Sequence, residues 1–178
     1  MHSTPEPEIS ETTPRGTALS VLVRRHATIH TDGSCAGGMG FGGWAATIRV
    51  TMEDGSVGPP LVLTGGASAT TNNRMEMLAA IEALKAYSDG AATVVSDSQY
   101  LIRGITEWVR PWKSRGWKNA EGRKVRNRDL WKELEALTTG RQIAWVWVKG
   151  HAGHRENEEV DALASAAALQ ARRAGDRG

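Results

Sequence analysis

The strongest constraint on the fold is the order of strand and helix patterns between residues 26 and 97. Three strand patterns, 26–35, 42–50 and 59–68, follow one another with only short, turn-rich connections. Such connections favour antiparallel pairing. A helix pattern then precedes a fourth, apolar strand pattern over 91–97. Because a strand–helix–strand crossover favours parallel pairing, the sequence predicts a mixed sheet.

Periodicity predicts the remaining elements. Between Thr71 and Gly90, apolar residues recur at helical spacing, namely Met77, Ile81 and Leu84. Thr71 or Asn72 can cap this helix. Three further patterns predict a helix near 127–139, a strand over 142–148 and a long alanine-rich helix over about 155–173. The predicted fold is therefore α/β, with a five-stranded mixed sheet and helices.

The first 24 residues differ in composition from the rest of the 178-residue chain. Pro, Ser, Thr and Glu dominate them, and they contain no apolar segment like that of a secretory signal. We therefore predict a disordered tail over 1–24, one folded domain over 25–173 and a frayed end over 174–178.

Composition also limits the environment of the protein. No run of 18 apolar residues is present, so the sequence predicts no membrane span. A single cysteine excludes an intramolecular disulfide and is typical of a reducing compartment. We expect a cytoplasmic protein.

The net charge of +2 conceals a strongly basic segment. Residues 108–128 contain eight basic residues and one acidic residue and so carry +7, whereas the other 14 basic and 19 acidic residues give −5. A solvated surface is the ordinary explanation of such a segment, and binding to a polyanion is the alternative.

Four acidic residues occupy positions where side chains can meet. Asp32 and Asp97 each follow apolar residues of a predicted strand, and neighbouring strands lie about 4.8 Å apart. Glu76 and Asp161 are predicted to begin helices. Taken singly, each acid is readily explained as a turn or helix-start residue. Two aspartates at one level could instead share a cation, which would offset their repulsion.

The context of these acids resembles a known family. The motifs "TDGSC", "TTNNRMEM", "SDSQY" and "VKGHAGHRENEEVD" occur in this order. Together, over about residues 26–170, they resemble the type 1 ribonuclease H family in its bacterial form. The resemblance implies a five-stranded mixed sheet with helices on both faces, and endonucleolytic hydrolysis of the RNA strand of an RNA–DNA hybrid. It places the family's metal-binding carboxylates at Asp32, Glu76, Asp97 and Asp161.

Oxygen ligands of this kind suit two Mg²⁺ ions, with Mn²⁺ as a possible substitute. Two such ions can activate water and stabilise the leaving 3′-oxygen, giving 5′-phosphate and 3′-hydroxyl ends. The small residues after Asp32, Gly33 to Gly38, would then let the nucleic-acid backbone approach closely.

Two histidines lie in the glycine-flanked loop before the last helix. His151 matches the family's loop histidine, which assists proton transfer or product departure. His154 is more simply explained as a structural or helix-starting residue. A zinc site at this pair is disfavoured, because no cysteine or third histidine lies nearby in the sequence.

The resemblance also assigns contacts to the hybrid. It assigns recognition of the RNA 2′-hydroxyls to backbone groups from Cys35 to Gly37 and to the side chains of Asn72, Asn73 and Gln99. A DNA-phosphate pocket falls on Thr71 and Asn127. The basic segment resembles the bacterial form's protrusion, in which the assigned residues are Trp108, Trp112, Trp117, Lys118 and Arg126. Core packing is the alternative for the tryptophans, and helix capping for the two asparagines.

The chain departs from the bacterial pattern at two places. Gly38-Met39-Gly40 stands where that pattern usually has Asn-Pro-Gly, and Ser114 replaces a residue that is often basic. The first change is expected to remove a minor-groove contact, and neither change touches a metal ligand. The expected substrate is thus an RNA–DNA hybrid, bound by a monomer.

Three other classes of protein fit these motifs less well. A resolvase or integrase domain would share scattered acids but not these motifs together. A hybrid-binding module without catalysis would not need all four carboxylates. A nucleotide-binding α/β domain would need a glycine-rich phosphate fingerprint after a strand, which the sequence lacks.

Overall fold

The computed structural model describes residues 25–35, 40–88 and 90–176. Its strands are β1 (His26–Cys35), β2 (Gly40–Thr51), β3 (Leu61–Thr70), β4 (Ala91–Ser96) and β5 (Ile143–Trp147). They form one sheet in the order β3-β2-β1-β4-β5. The pairs β1–β2 and β2–β3 are antiparallel, whereas β1–β4 and β4–β5 are parallel. The predicted mixed five-stranded sheet is confirmed, although β3 lies two residues later than predicted.

The helices are α1 (Asn72–Ala86), α2 (Gln99–Arg103), α3 (Val109–Ser114), α4 (Arg128–Thr138) and α5 (Arg155–Gly175). A π-helical turn, Gly104–Trp108, joins α2 to α3, and the N–H of Val109 bonds to the carbonyl of Gly104. The sequence predicted α1, α4 and α5 but not this interrupted helical stretch. Pro111 has no N–H to donate, so a regular α-helix cannot run through it unbroken.

Helices cover both faces of the sheet. Ala46 of β2 belongs to the core formed with α1 and α4, whereas the adjacent Ala45 packs against Val160 and Ala164 of α5. Successive residues of a strand point to opposite faces, so the two helical layers lie on opposite sides. Helix α5 extends through Gly175, two residues beyond the helix end predicted near 173.

The predicted tail, 1–24, lies outside the described residues, so it stays a prediction. No helix in the described ranges has both the length and the apolarity that crossing a membrane requires.

Candidate active site

The parallel pairing of the two central strands sets the level of the first two acids. His30 of β1 is paired with Val95 of β4, and Asp32 and Asp97 each lie two residues further along. Parallel strands keep such positions level, so both carboxylates reach the same end of the sheet. The sequence prediction of neighbouring aspartates is confirmed.

Helix α1 brings the third acid to the same place. A Cβ at residue 33 would overlap the backbone of Met75 and Glu76, so glycine is required for α1 to lie this close to β1. Gly33 is buried by this contact. The expectation that Gly33 is small to admit nucleic acid is therefore wrong, because it is small to admit a helix.

Neither helical acid lies at a helix start. Glu76 is the fifth residue of α1 and Asp161 is the seventh of α5, so both project from the second turn. This corrects the prediction that they begin helices. The amide of Asn72 donates to Oε1 of Glu76 at 3.2 Å. Thr71, rather than either asparagine, is the N-cap residue and makes no side-chain cap bond, so the capping role considered for the asparagines is wrong.

Asp32, Glu76 and Asp97 form a compact carboxylate cluster. One potential ligand atom from each lies within 4.8 Å of the others. Burial, followed by the charge of Asp97, raises the pKa of Asp32 to about 7, and Asp161 acts in the same direction. Burial also raises the pKa of Glu76 well above its ordinary value, and the charges of Asp32 and Asp97 add to this effect.

These three carboxylates fit a divalent cation. Oε2 of Glu76 is buried without a hydrogen-bond partner. Across the described ranges, no lysine or arginine forms an ion pair with any of the three. An all-oxygen donor set with uncompensated negative charge suits Mg²⁺ or Mn²⁺ better than zinc. Within the residues described, the metal-ligand cluster includes neither His151 nor His154.

Asp97 is held from three directions by residues that the sequence analysis did not select. Trp147 of β5 donates its indole N–H to the carbonyl of Asp97 at 2.9 Å. Asn157 of α5 donates to Oδ2 of Asp97 at 3.3 Å. Gly150 passes so close that a Cβ there would meet the same oxygen at 2.6 Å.

The position of Asn157 in the sequence indicates that its side chain needs a hydrogen-bond partner. It precedes Val160 and Ala164 at helical spacing, so it lies on the buried stripe of α5. A polar residue on such a stripe requires a partner. Here that partner is Asp97.

His151 lies at the edge of the site. Its side chain is 81% exposed, and its Nδ1 lies 4.0 Å from Oδ2 of Asp161. Its backbone is left-handed, with φ at 52°. The backbone N–H of Gly153 bonds to Oε1 of Glu158, which ties this loop to the first turn of α5. His154 is the N-cap residue of α5, as the helix-starting explanation predicted.

A second polar site lies where two helices begin. A cavity of about 380 Å³ is lined by Thr71, Asn73, Tyr100, Arg126 and Asn127. Thr71 and Asn127 are the N-cap residues of α1 and α4, and neither makes a side-chain cap bond. The N-cap residues of two helices therefore line one cavity. The structure brings together Thr71 and Asn127, which the resemblance had placed in one pocket.

The other residues assigned to the hybrid are distributed around these two sites. Asn72, Asn73, Gln99, Lys118 and Arg126 are exposed. The half-buried Cys35 thiol lies 3.6 Å from the carbonyl of Thr70. Gly37, Gly38 and Met39 lie outside the described residues.

The tryptophans of the basic segment pack as the alternative explanation predicted. Trp112 and Trp117 lie against the main core. The ring centroids of Trp108 and Trp112 are 5.7 Å apart, and those of Trp112 and Trp131 are 5.8 Å apart. Trp108 and Trp112 also line a cavity of about 420 Å³ together with basic side chains, namely Arg123, Lys124 and Arg126. Packing therefore leaves part of each of these two rings accessible.

Comparison with known proteins agrees with the fold. The RNase H family model matches residues 24–169. The chain is 50% identical over 146 residues to ribonuclease H of Salmonella arizonae and to that of Salmonella newport, covering 82% of this chain and 90% of each relative.

Solved structures show the same architecture. The crystal structure of LC9-RNase H1, described as a type 1 RNase H with the type 2 active-site motif, matches with a TM-score of 0.75 at 32% identity, covering 83% of this chain and 74% of that one. An RNase H domain from Mycobacterium tuberculosis matches in fold, with a TM-score of 0.63 at 23% identity, covering 84% and 98% of the two chains.

The fold and these matches define an enzyme of the hydrolase class, a nuclease. The chain belongs to the RNase H family.

Proposed function

We propose that this protein hydrolyses the RNA strand of RNA–DNA hybrids endonucleolytically. The observation that carries the proposal is the buried cluster of Asp32, Glu76 and Asp97 at one end of an RNase H sheet. The 50% identity to relatives named ribonuclease H supports it. A neighbour of the same fold, LC11-RNase H1, has been crystallised with an RNA/DNA hybrid, at 20% identity and a TM-score of 0.60.

The proposed cofactor is a pair of Mg²⁺ ions, with Mn²⁺ as a possible substitute. Asp32, Glu76, Asp97 and Asp161 would hold them. Bound there, the ions would supply an activated water and stabilise the leaving 3′-oxygen, giving 5′-phosphate and 3′-hydroxyl ends.

The chain contributes positioning and proton transfer. Trp147 and Asn157 fix the backbone and one carboxylate oxygen of Asp97, so this ligand is oriented before substrate arrives. The exposed ring of His151 turns Nδ1 towards Asp161, which leaves Nε2 free to accept or donate a proton. Histidine is the side chain best suited to exchange protons close to neutral pH.

Two surfaces are proposed to hold the hybrid. The cavity at the starts of α1 and α4 would bind a phosphate of the DNA strand, since helix N-termini favour anions. The basic segment, 108–128, would lie along the DNA backbone, because exposed lysines and arginines bind phosphates in a salt-dependent manner. Trp108, Trp112 and Trp117 would contribute their accessible faces.

Selection of the RNA strand requires contacts to 2′-hydroxyls. Asn72, Asn73 and Gln99 are exposed, and Asn72 already contacts Glu76. A side chain that contacts a proposed metal ligand is well placed to contact the sugar beside the scissile bond as well. Backbone groups from Cys35 to Gly37 complete this proposed set.

We also propose that the protein acts as a cytoplasmic monomer.

The test compares a labelled hybrid with RNA and DNA duplexes, each with Mg²⁺ or with EDTA. Only the hybrid with Mg²⁺ should be cut, and only in its RNA strand. Asp32→Asn and Asp97→Asn should each abolish cleavage in folded protein. Asp54→Asn is the matched control, because Asp54 is an exposed turn residue whose hydrogen bonds, among the residues described, stay within its own turn. Cleavage in EDTA, or wild-type rates in either site variant, would contradict the proposal.

A further inference from the structure

A chain of hydrogen bonds fixes the hydroxyl of Tyr100 beside the cavity that opens at the starts of α1 and α4. Arg74 holds Asp129 through both terminal nitrogens, at 3.1 and 2.7 Å. Its Nη1 atom also lies 3.4 Å from Oδ1 of Asn127. The amide nitrogen of Asn127 and the indole nitrogen of Trp131 each lie 3.2 Å from the hydroxyl of Tyr100.

The direction of these bonds follows from the groups involved. A guanidinium can only donate, so the Asn127 atom that faces Arg74 must be the carbonyl oxygen. The Asn127 amide N–H₂ then faces Tyr100 and donates to it. The indole N–H of Trp131 can also only donate, and Trp131 is fully buried, so its partner cannot be water. Both neighbours therefore donate to Tyr100.

This arrangement leaves the hydroxyl proton of Tyr100 without an acceptor. A hydroxyl can accept two hydrogen bonds and donate one. Both of its acceptor positions are occupied, and within the described ranges no side chain or carbonyl accepts from it. Tyr100 lines the cavity together with Thr71, Asn73 and Arg126. A group bound in that space can therefore accept the hydroxyl proton.

We propose that the Tyr100 hydroxyl donates a hydrogen bond to a phosphate oxygen of the bound DNA strand. This inference rests on the proposed function and adds a binding residue to it. Arg126 supplies charge, whereas Tyr100 supplies a neutral donor held in place by Asn127 and Trp131. Asp129 and Arg74 are positioning residues, because they act on the ligand only through Asn127 and Tyr100.

The principal test is Tyr100→Phe, which removes the hydroxyl and keeps the ring. Binding is measured in EDTA on hybrids that each carry one uncharged methylphosphonate in the DNA strand, at successive positions. For the wild type, affinity should fall at the position that occupies the cavity. Tyr100→Phe should bind the unmodified hybrid on the order of tenfold more weakly, as expected for one lost hydrogen bond to a charged group. When the methylphosphonate lies at the cavity position, Tyr100→Phe should lose about tenfold less additional affinity than the wild type loses.

The matched control is Tyr87→Phe, which deletes the same hydroxyl at the opposite end of α1 and should leave the entire profile unchanged. With Mg²⁺, Tyr100→Phe should raise KM while changing kcat by less than about threefold, because a contact to a phosphate outside the reacting bond contributes uniform binding. General damage to the fold would lower affinity equally at every position.

A second measurement does not depend on Tyr100→Phe folding. The chain contains two tyrosines, so 3-fluorotyrosine incorporated into Tyr87→Phe labels Tyr100 alone. Its fluorine resonance should shift when the unmodified hybrid binds, and shift less with the hybrid that is neutral at the cavity position. If Tyr100→Phe loses as much as the wild type at every position, Tyr100 does not donate to phosphate, although the phosphate pocket itself would stand. If the wild type is insensitive at every position, the phosphate pocket of the proposed function fails as well.

Discussion

Removing one buried charge from the carboxylate cluster should stabilise the metal-free protein. In Asp32→Asn the side chain keeps its shape and keeps Oδ1, which accepts from the N–H of Gly33 at 2.8 Å. It loses the charge that Glu76 and Asp97 repel. The pKa of Asp32 rises from 3.8 to about 7, mainly through burial. At about 1.4 kcal/mol per unit, that shift corresponds to about 4 kcal/mol. Because the repulsion is shared among coupled groups, we expect a gain of about 2 to 4 kcal/mol.

The sign of the pH dependence follows from the direction of the shift. A carboxyl group whose pKa is raised by folding binds its proton more tightly in the native state, so stability falls as pH rises from about 3.8 to about 7. At pH 8 in EDTA the wild type carries the full penalty and Asp32→Asn carries none. The difference in free energy of unfolding should narrow below pH 7 and approach zero near pH 4.

The assay is urea and thermal unfolding at pH 8 and pH 5.5, with EDTA or with saturating Mg²⁺. In EDTA at pH 8, Asp32→Asn should melt roughly 5 to 15 °C above the wild type. Mg²⁺ should reduce or reverse this difference in melting temperature, because it binds the native wild type more tightly than the variant. Asp129→Asn is the control of opposite sign. A hydrogen bond from Arg74 lowers the pKa of Asp129, so this variant should lose about 0 to 1 kcal/mol and ignore EDTA. If Asp32→Asn proves no more stable than the wild type in EDTA at pH 8, the cluster is not a site of unbalanced charge.

Three further outcomes are expected. His151→Ala should lower kcat by about 10²- to 10⁴-fold without abolishing cleavage, as for an assisting group; complete loss in folded protein would contradict that role. Neutralising four residues of the basic segment, Lys118, Arg123, Lys124 and Arg126, should raise KM far more than it lowers kcat. The slope of log affinity against log salt concentration should become shallower by about 3. An unchanged slope would mean that these residues do not contact phosphate. Deleting residues 1–24 should leave both melting temperature and cleavage unchanged, since their composition offers little apolar surface; a large loss of stability would show that they belong to the fold.

Local patterns in the sequence were sufficient for the sheet and for the meeting of Asp32 with Asp97. Strand periodicity and short connections determine which strands pair, and parallel pairing places the ends of β1 and β4 level. The four motifs supplied the remaining carboxylates through resemblance. Helix boundaries were the weaker part, because Glu76 and Asp161 lie in second turns rather than at helix starts.

Contacts between distant segments could not be predicted in this way. The reason for Gly33 is the backbone of α1, and the support of Asp97 comes from Trp147 and Asn157, some 50 and 60 residues later. The direction of the Tyr100 hydroxyl depends on Arg74 and Trp131 together, which no single motif contains. These features arise only when the elements pack in three dimensions.

The placement of α5 has a consequence for the order of folding. This helix covers the face of β2 that contains Gly43, where a Cβ would overlap the backbone of Ala164 and Ala168, and it also contributes Asp161 and Asn157. It follows β5 along the chain, so during synthesis it leaves the ribosome after all five strands. Until then one face of the sheet has no cover, and Asp97 lacks one of its supports. Sequence-distant contacts of this kind close slowly and late. A nascent chain should therefore gain nuclease activity only after α5 has docked on the sheet.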